Sequence, residues 1–113
     1  MERRRGNLEI ARDILKIAIN GAGPTVLVYG ANLNFNIIKR YLQELDYSGL
    51  ILVESIEIGR SKTRLYTTTE KGLAFIEALS KTLEIYYSPK TIDGTLPEIM
   101  NKQKIIQGTV GAP

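Results

Sequence analysis

The chain contains neither cysteine nor histidine. The first absence removes disulfides, thiolate nucleophiles and the usual structural zinc sites. The second removes the commonest metal ligand and the commonest general base near neutral pH. No metal, no cofactor and no catalytic residue is therefore expected. Asp46, Glu54 and Glu57, acids near the middle of the chain, show no paired spacing. A phosphate-binding glycine loop is also missing. No apolar run approaches the roughly 20 residues needed to span a bilayer, and the charged first residues do not resemble a secretory leader. The expectation is a cytoplasmic protein that makes no use of a membrane.

What is present fits one compact domain with chain to spare: 113 residues, 43% of them hydrophobic. The formal net charge of +3 is weak until it is placed along the chain. Residues 6 to 87 carry nine basic and nine acidic side chains, and the excess comes mainly from Arg3, Arg4 and Arg5. Five of the nine internal cations nevertheless lie in two short segments, Lys39-Arg40 and Arg60 to Arg64. A sum of zero thus hides a basic face.

Along residues 7–20, Leu8, Ala11, Ile14, Leu15 and Ala18 recur at helical spacing, with Glu9, Arg12, Asp13 and Lys16 on the opposite, solvated face. Asn7 suits the N-cap, and Gly21 the stop. Thr25 to Tyr29 has strand-like composition behind Gly23-Pro24, although Pro24 equally suits a first helical turn. Asn34 to Tyr47 is the clearest element, with Phe35, Ile38, Tyr41, Leu42 and Leu45 on one stripe, Asn34 as N-cap and Ser48-Gly49 as the stop. Its opposite face carries Asn36, Arg40, Gln43 and Tyr47, flanked by Lys39. Ile51 to Ile58 and Arg64 to Thr68 read as two strands joined by a basic loop, Gly59 to Thr63, with a bulge or late start near Glu54-Ser55. Thr69 caps a last helix that runs to Tyr87 and is apolar on most sides, so it calls for a second partner surface. Residues 88–113 hold three of the four prolines and read as a disordered tail; residues 1–6 read as a basic arm.

The order helix, short element, helix, hairpin, helix predicts an α+β fold: a winged helix-turn-helix, a three-helix core plus a β-hairpin wing, with a C-terminal dimerisation helix. In that frame Thr25 to Tyr29 must be the supporting helix, its propensity overridden by packing. The runs Asn32-Leu33, Phe35, Tyr41-Leu42, Gly49-Leu50-Ile51 and Thr69-Glu70-Lys71-Gly72 resemble those of archaeal winged-helix proteins of the small chromatin-type and putative transcription-regulator group. The similarity covers roughly residues 5 to 87. It implies a homodimer through the last helix, in which Leu79, Leu83, Tyr86 and Tyr87 would form the interface, and a nucleoid-associated location.

The residues themselves point to double-stranded DNA. A major groove admits one α-helix, and amides and guanidinium groups read its base edges. Asn36, Arg40 and Gln43 repeat on one face; Arg40 suits guanine, Asn36 or Gln43 adenine, and an exposed Ile37 a thymine methyl. Lys39 at the edge suits phosphate, and Asn34 caps the helix while leaving other N-terminal amides to a phosphate. Arg60, Ser61, Lys62 and Arg64 on the wing suit the backbone or the minor groove. Tyr86 and Tyr87, beside Leu83, read as dimer core rather than as a base-stacking platform. The competing expectation is a winged helix that docks a protein partner, which the neutral charge of the domain supports.

Overall fold

A computed structural model describes residues 5–89. The elements run α1 (Asn7–Ile17), α2 (Pro24–Ala31), α3 (Phe35–Tyr47), β1 (Ile51–Ile58), β2 (Ser61–Thr68) and α4 (Glu70–Tyr87). The expected tail from residue 90 onward and arm residues 1–4 lie outside the described residues. The chain falls into two units that part within α4, after Leu79.

The first unit is a winged helix. Ile14, Leu15 and Ala18 from the first helix and the turn after it, Leu27 and Ala31 from α2, Ile38, Leu42 and Leu45 from α3, and Ile51 and Tyr66 from the hairpin bury one shared core. Of these, Ile14, Leu15, Ala18, Ile38, Leu42 and Leu45 are positions that the helical apolar spacing marked. The strand-like segment is indeed helical: Pro24 opens α2, and Leu27 and Ala31 are buried. Helix α2 ends with Asn32 in the left-handed region, φ 56°. There Leu33 N–H donates to Val28 O and Asn32 N–H to Tyr29 O, a Schellman closure that fixes the turn into α3. The same closure ends α3, with Leu50 N–H on Leu45 O, Gly49 N–H on Asp46 O, and Gly49 at φ 73°.

Several expectations change. Asn7 does not cap α1: Gly6 is the N-cap, and the Asn7 side chain instead accepts a hydrogen bond from Tyr41 Oη at 2.9 Å. Helix α1 ends at Ile17, with a turn to Asn20 before Gly21 at φ 89°. Its charged face is not merely solvated, because Asp13 pairs with Arg5 at 2.9 Å and lies 3.8 Å from Arg12. Leu8, placed on the buried stripe, is exposed. The hairpin ladder runs without a bulge from Ile51↔Thr68 to Ile58↔Ser61, Glu54 and Ser55 facing Leu65 and Arg64 in register. β2 therefore begins at Ser61 rather than Arg64, and the connecting loop shrinks to Gly59-Arg60. Gly59 takes φ 62° at the first central position, where a type II′ turn demands glycine.

The hairpin base is tied into the helices. Ala22 exchanges two backbone hydrogen bonds with Tyr66, each 2.9 Å, which adds one residue of a third strand. Thr68, at the other end, is buried. Its Oγ1 donates to Leu15 O at 2.6 Å, and its N–H donates to Ala18 O at 3.0 Å. The Leu15 carbonyl needs this partner, because the Ile19 N–H that would continue the helix turns to Lys16 O instead. Thr68→Val keeps the shape and strands a buried carbonyl. A loss of about 1–3 kcal/mol in urea unfolding is expected, with Thr68→Ser, which keeps the hydroxyl, much nearer wild type. Equal losses for the two variants would show that the methyl, not the hydrogen bond, matters.

Candidate nucleic-acid interface

Helix α3 is held so that one face must look outward. Ile38, Leu42 and Leu45 are buried, and at about 100° per residue the direction opposite them carries Asn36, Arg40, Gln43 and Tyr47. All four are exposed. Tyr47, which lay on the marked face but not among the marked contacts, is 95% exposed. Lys39 is exposed at the edge of the face, whereas Ile37, expected to be open, is half-buried. Asn34 caps the helix as expected: its Oδ1 accepts from Ile37 N–H at 2.9 Å, which occupies the third amide of the first turn. Phe35, placed on the buried stripe, is 51% exposed; it stands at the margin of that stripe.

The wing's residues divide by strand register. Ser55, Glu57, Lys62 and Arg64 share a face with the core-facing Ile51, Val53, Tyr66 and Thr68, because paired residues and their i±2 neighbours point the same way. Arg64 thus lies alongside α3, in a shallow hollow lined also by Phe35, Lys39, Gln43 and Asp46. Lys62 faces Glu57 across the ladder. Arg60 alone occupies the turn, and Ser61 pairs with Ile58 on the other face. All four marked wing residues are exposed. Among the described residues, no ion pair engages Lys39, Arg40, Arg60, Lys62 or Arg64.

Arg5 does not belong to a free arm. Its Nη1 donates to Asp13 and its Nη2 to Ala31 O at 3.0 Å, the last carbonyl of α2. A cation at a helix C-terminus is favourably placed, so this arginine fastens α1 to the helix-turn-helix. Sequence spacing gives no sign of it, since the partner lies 26 residues away.

Two of the runs that carried the family resemblance, residues 49–51 and 69–72, meet one another in space. Thr69 Oγ1 donates to Gly49 O at 2.7 Å and accepts from Gly72 N–H at 3.1 Å; Lys71 Nζ donates to Ser48 O at 2.7 Å; Thr69 N–H donates to Leu50 O at 3.1 Å. The start of α4 is thereby clamped onto the exit of α3. Farther along α4, Leu79 and Leu83 are half-buried, while Tyr86 and Tyr87 are 76% and 50% exposed, their rings edge to face with centroids 4.8 Å apart.

Two helices closed by left-handed turns, a hairpin directly after the second and a helix sealing the exit define the winged-helix class. Residues 4–86 match the profile of the winged helix-turn-helix family, and the chain belongs to that family. A comparison with curated proteins finds no match. Among solved structures, the chain is similar to Sso10a-2, a DNA-binding protein from Sulfolobus solfataricus, at 22% identity and a TM-score of 0.67, covering 93% of this chain and 96% of that one. It is also similar to a PadR family transcriptional regulator from Eggerthella lenta (20% identity, TM-score 0.64, 68% and 73% covered). A third is MepR, a transcription regulator of a Staphylococcus aureus multidrug efflux pump (16%, TM-score 0.58, 88% and 73% covered). Identities this low speak for the fold alone. Among the described residues, no helix is long and apolar enough to cross a membrane, and no group of acidic side chains could hold a metal ion.

Proposed function

We propose that this chain is a double-stranded DNA-binding protein, a transcriptional regulator or nucleoid-architectural protein of the cytoplasm, and not an enzyme. The observation that carries this reading is the α3 face, where Asn36, Arg40 and Gln43 stand exposed in line with Lys39 beside them. Exposed, outward-aimed amides and a guanidinium on one helix are what a major groove accepts. Arg40 takes guanine, and Asn36 and Gln43 take adenine. Ile37 reaches a thymine methyl with what exposure it keeps. Lys39 and Arg64, flanking one hollow, take the phosphates of the strand between helix and wing, together with Lys62 and Ser61. Asn34 sets the helix start, and Arg60 at the turn enters the minor groove. The Sulfolobus relative is a DNA-binding protein and the other two are transcriptional regulators. That supports the reading and accords with the resemblance to archaeal chromatin-type proteins. The protein acts as a homodimer joined through Leu79, Leu83, Tyr86 and Tyr87 of α4, a pairing that gives two copies of α3 for two half-sites.

A salt titration on duplex DNA tests this. Log affinity should fall linearly with log salt, by roughly 0.9 for each phosphate neutralised. Undetectable binding to mixed-sequence duplex at low salt would sink the proposal and leave the protein-docking winged helix, which the neutral domain favours. Arg40→Ala should weaken a preferred site by about 1–3 kcal/mol and relax base choice at one position. An equal loss on every sequence would make Arg40 a phosphate contact instead.

A further inference from the structure

The wing has two unlike faces, and on the second only Ser61 has a role in the proposed DNA contact. Opposite Lys62 and Arg64, the register gathers the apolar Leu52, Ile56, Ile58 and Leu65 together with Glu54, Ser61, Thr63 and Thr67. Leu65 and Ile56 are half-buried, but Ile58 is 65% exposed at the very tip, next to Gly59-Arg60. A branched apolar residue beside an exposed arginine is a poor choice for a tip that merely touches phosphates. We propose that Ile58 is an apolar wedge, carried by the wing into the minor groove beside Arg60, where it opens a base step and bends the duplex. The proposal rests on the DNA-binding reading and goes beyond it, from where the protein binds to what it does to the duplex.

Three features of the hairpin support this use. The ladder is unbroken through Ile58↔Ser61 and the turn has only two residues, so the tip is stiff, with its two strand axes about 4.8 Å apart. A minor groove is about 6 Å wide and 7.5 Å deep, so seating the tip requires the groove to open, as it does where an apolar wedge unstacks a base step. The pairs from Ser55↔Arg64 outward carry mostly exposed side chains, so about 10 Å of strand, at roughly 3.4 Å per residue, plus the turn is free to enter. That reach exceeds the groove's depth. Finally, the tip carries both groups such an insertion needs: Arg60 for the negative potential of the groove, and Ile58 for the unstacked bases, which an apolar side chain covers when water is displaced.

Bend and affinity are measured on the same end-labelled mixed-sequence duplex, by energy transfer between the ends and by titration at fixed salt. Wild type should bend the duplex, within the roughly 20–90° that side-chain wedges produce. Ile58→Ser should cut the bend by at least half with affinity lowered no more than about tenfold, and Ile58→Leu should restore it. Arg60→Ala should lower affinity and steepen loss with salt less than wild type. The substitutions sit on an exposed tip, and circular dichroism should show unchanged helix content. If wild type binds without bending, or Ile58→Ser bends as wild type does, the wedge is wrong while DNA binding stands. A change of oligomeric state in Ile58→Ser with the bend intact would likewise overturn it and make this face a protein contact. Absence of all duplex binding would overturn both ideas together.

Discussion

Gly72→Ala is expected to destabilise the domain by about 2–3 kcal/mol, against the sign that helix propensity alone predicts. In an exposed helical position, alanine would be favoured over glycine by about 1 kcal/mol. Here a Cβ on residue 72 would lie 2.3 Å from Leu50 O and 2.6 Å from Thr68 Cγ2. Neither neighbour can yield cheaply. Leu50 O accepts from Thr69 N–H at 3.1 Å, and Thr68 is fixed by its bond to Leu15 O. Relief therefore requires α4 to move off the α3 exit, breaking the bonds from Thr69 and Lys71 to Gly49 and Ser48. Overpacking of a fixed site costs typically 1–3 kcal/mol, occasionally more, and the lost hydrogen bonds add to it. Gly49→Ala provides the contrast: the site is open, with nothing within 4 Å, but φ is +73°, so only left-handed strain of about 1–2 kcal/mol applies. Urea melts of both variants and wild type decide the matter. For a domain of this size each 1 kcal/mol moves Tm by about 4–8 °C. A Gly72→Ala protein as stable as wild type would refute the close approach.

That contact also explains which parts of the fold could be read from the chain. Helix α3 was legible because its apolar spacing is regular and Asn34 sits one residue before it. The α2 segment was legible only from context: Val26, Val28 and Tyr29 favour strands, but a Schellman closure at Asn32 and burial of Leu27 and Ala31 hold it helical. The matching runs at 49–51 and 69–72 could be recognised as a pattern, yet not why they occur together, since the reason is a contact across 20 or more residues. The hairpin turn was read three residues too long. Ser61 and Lys62 have weak strand preference, and it is pairing with Ile58 and Glu57 that extends the ladder through them. Arg5 was misread for the same nonlocal reason. At the candidate interface, the exposed α3 face followed from helical geometry. Which wing residues share a face with α3 did not, because a register error alters every facing assignment.

Leu83→Glu carries the largest expected effect on assembly: loss of the proposed dimer. The apolar positions Leu79, Leu83, Tyr86 and Tyr87 fall within about 100° of one another around α4. Tyr86 is 76% exposed and Tyr87 is 50% exposed, in a helix whose charged residues beyond its first turn, Glu77, Lys81 and Glu84, share one strip away from them. Aromatic area left in water this way is recovered when a second copy covers it, at about 25 cal/mol for each Å². In a two-fold pairing the same patch serves both protomers, so a single substitution places two carboxylates in the interface. Each costs several kcal/mol to bury without a partner, and a combined penalty of roughly 6 kcal/mol raises the dissociation constant about 10⁴-fold. Sedimentation should then show monomers at concentrations where wild type is dimeric. Leu83 lies eleven residues beyond Gly72, so circular dichroism and the urea midpoint of the winged-helix core should change far less than in Gly72→Ala. On the proposed two-half-site binding, the monomer should also lose affinity on duplex DNA, with the base preference proposed for Arg40 unchanged. A Leu83→Glu protein that still sediments as a dimer would move the interface off α4, and the exposed tyrosines would need another partner.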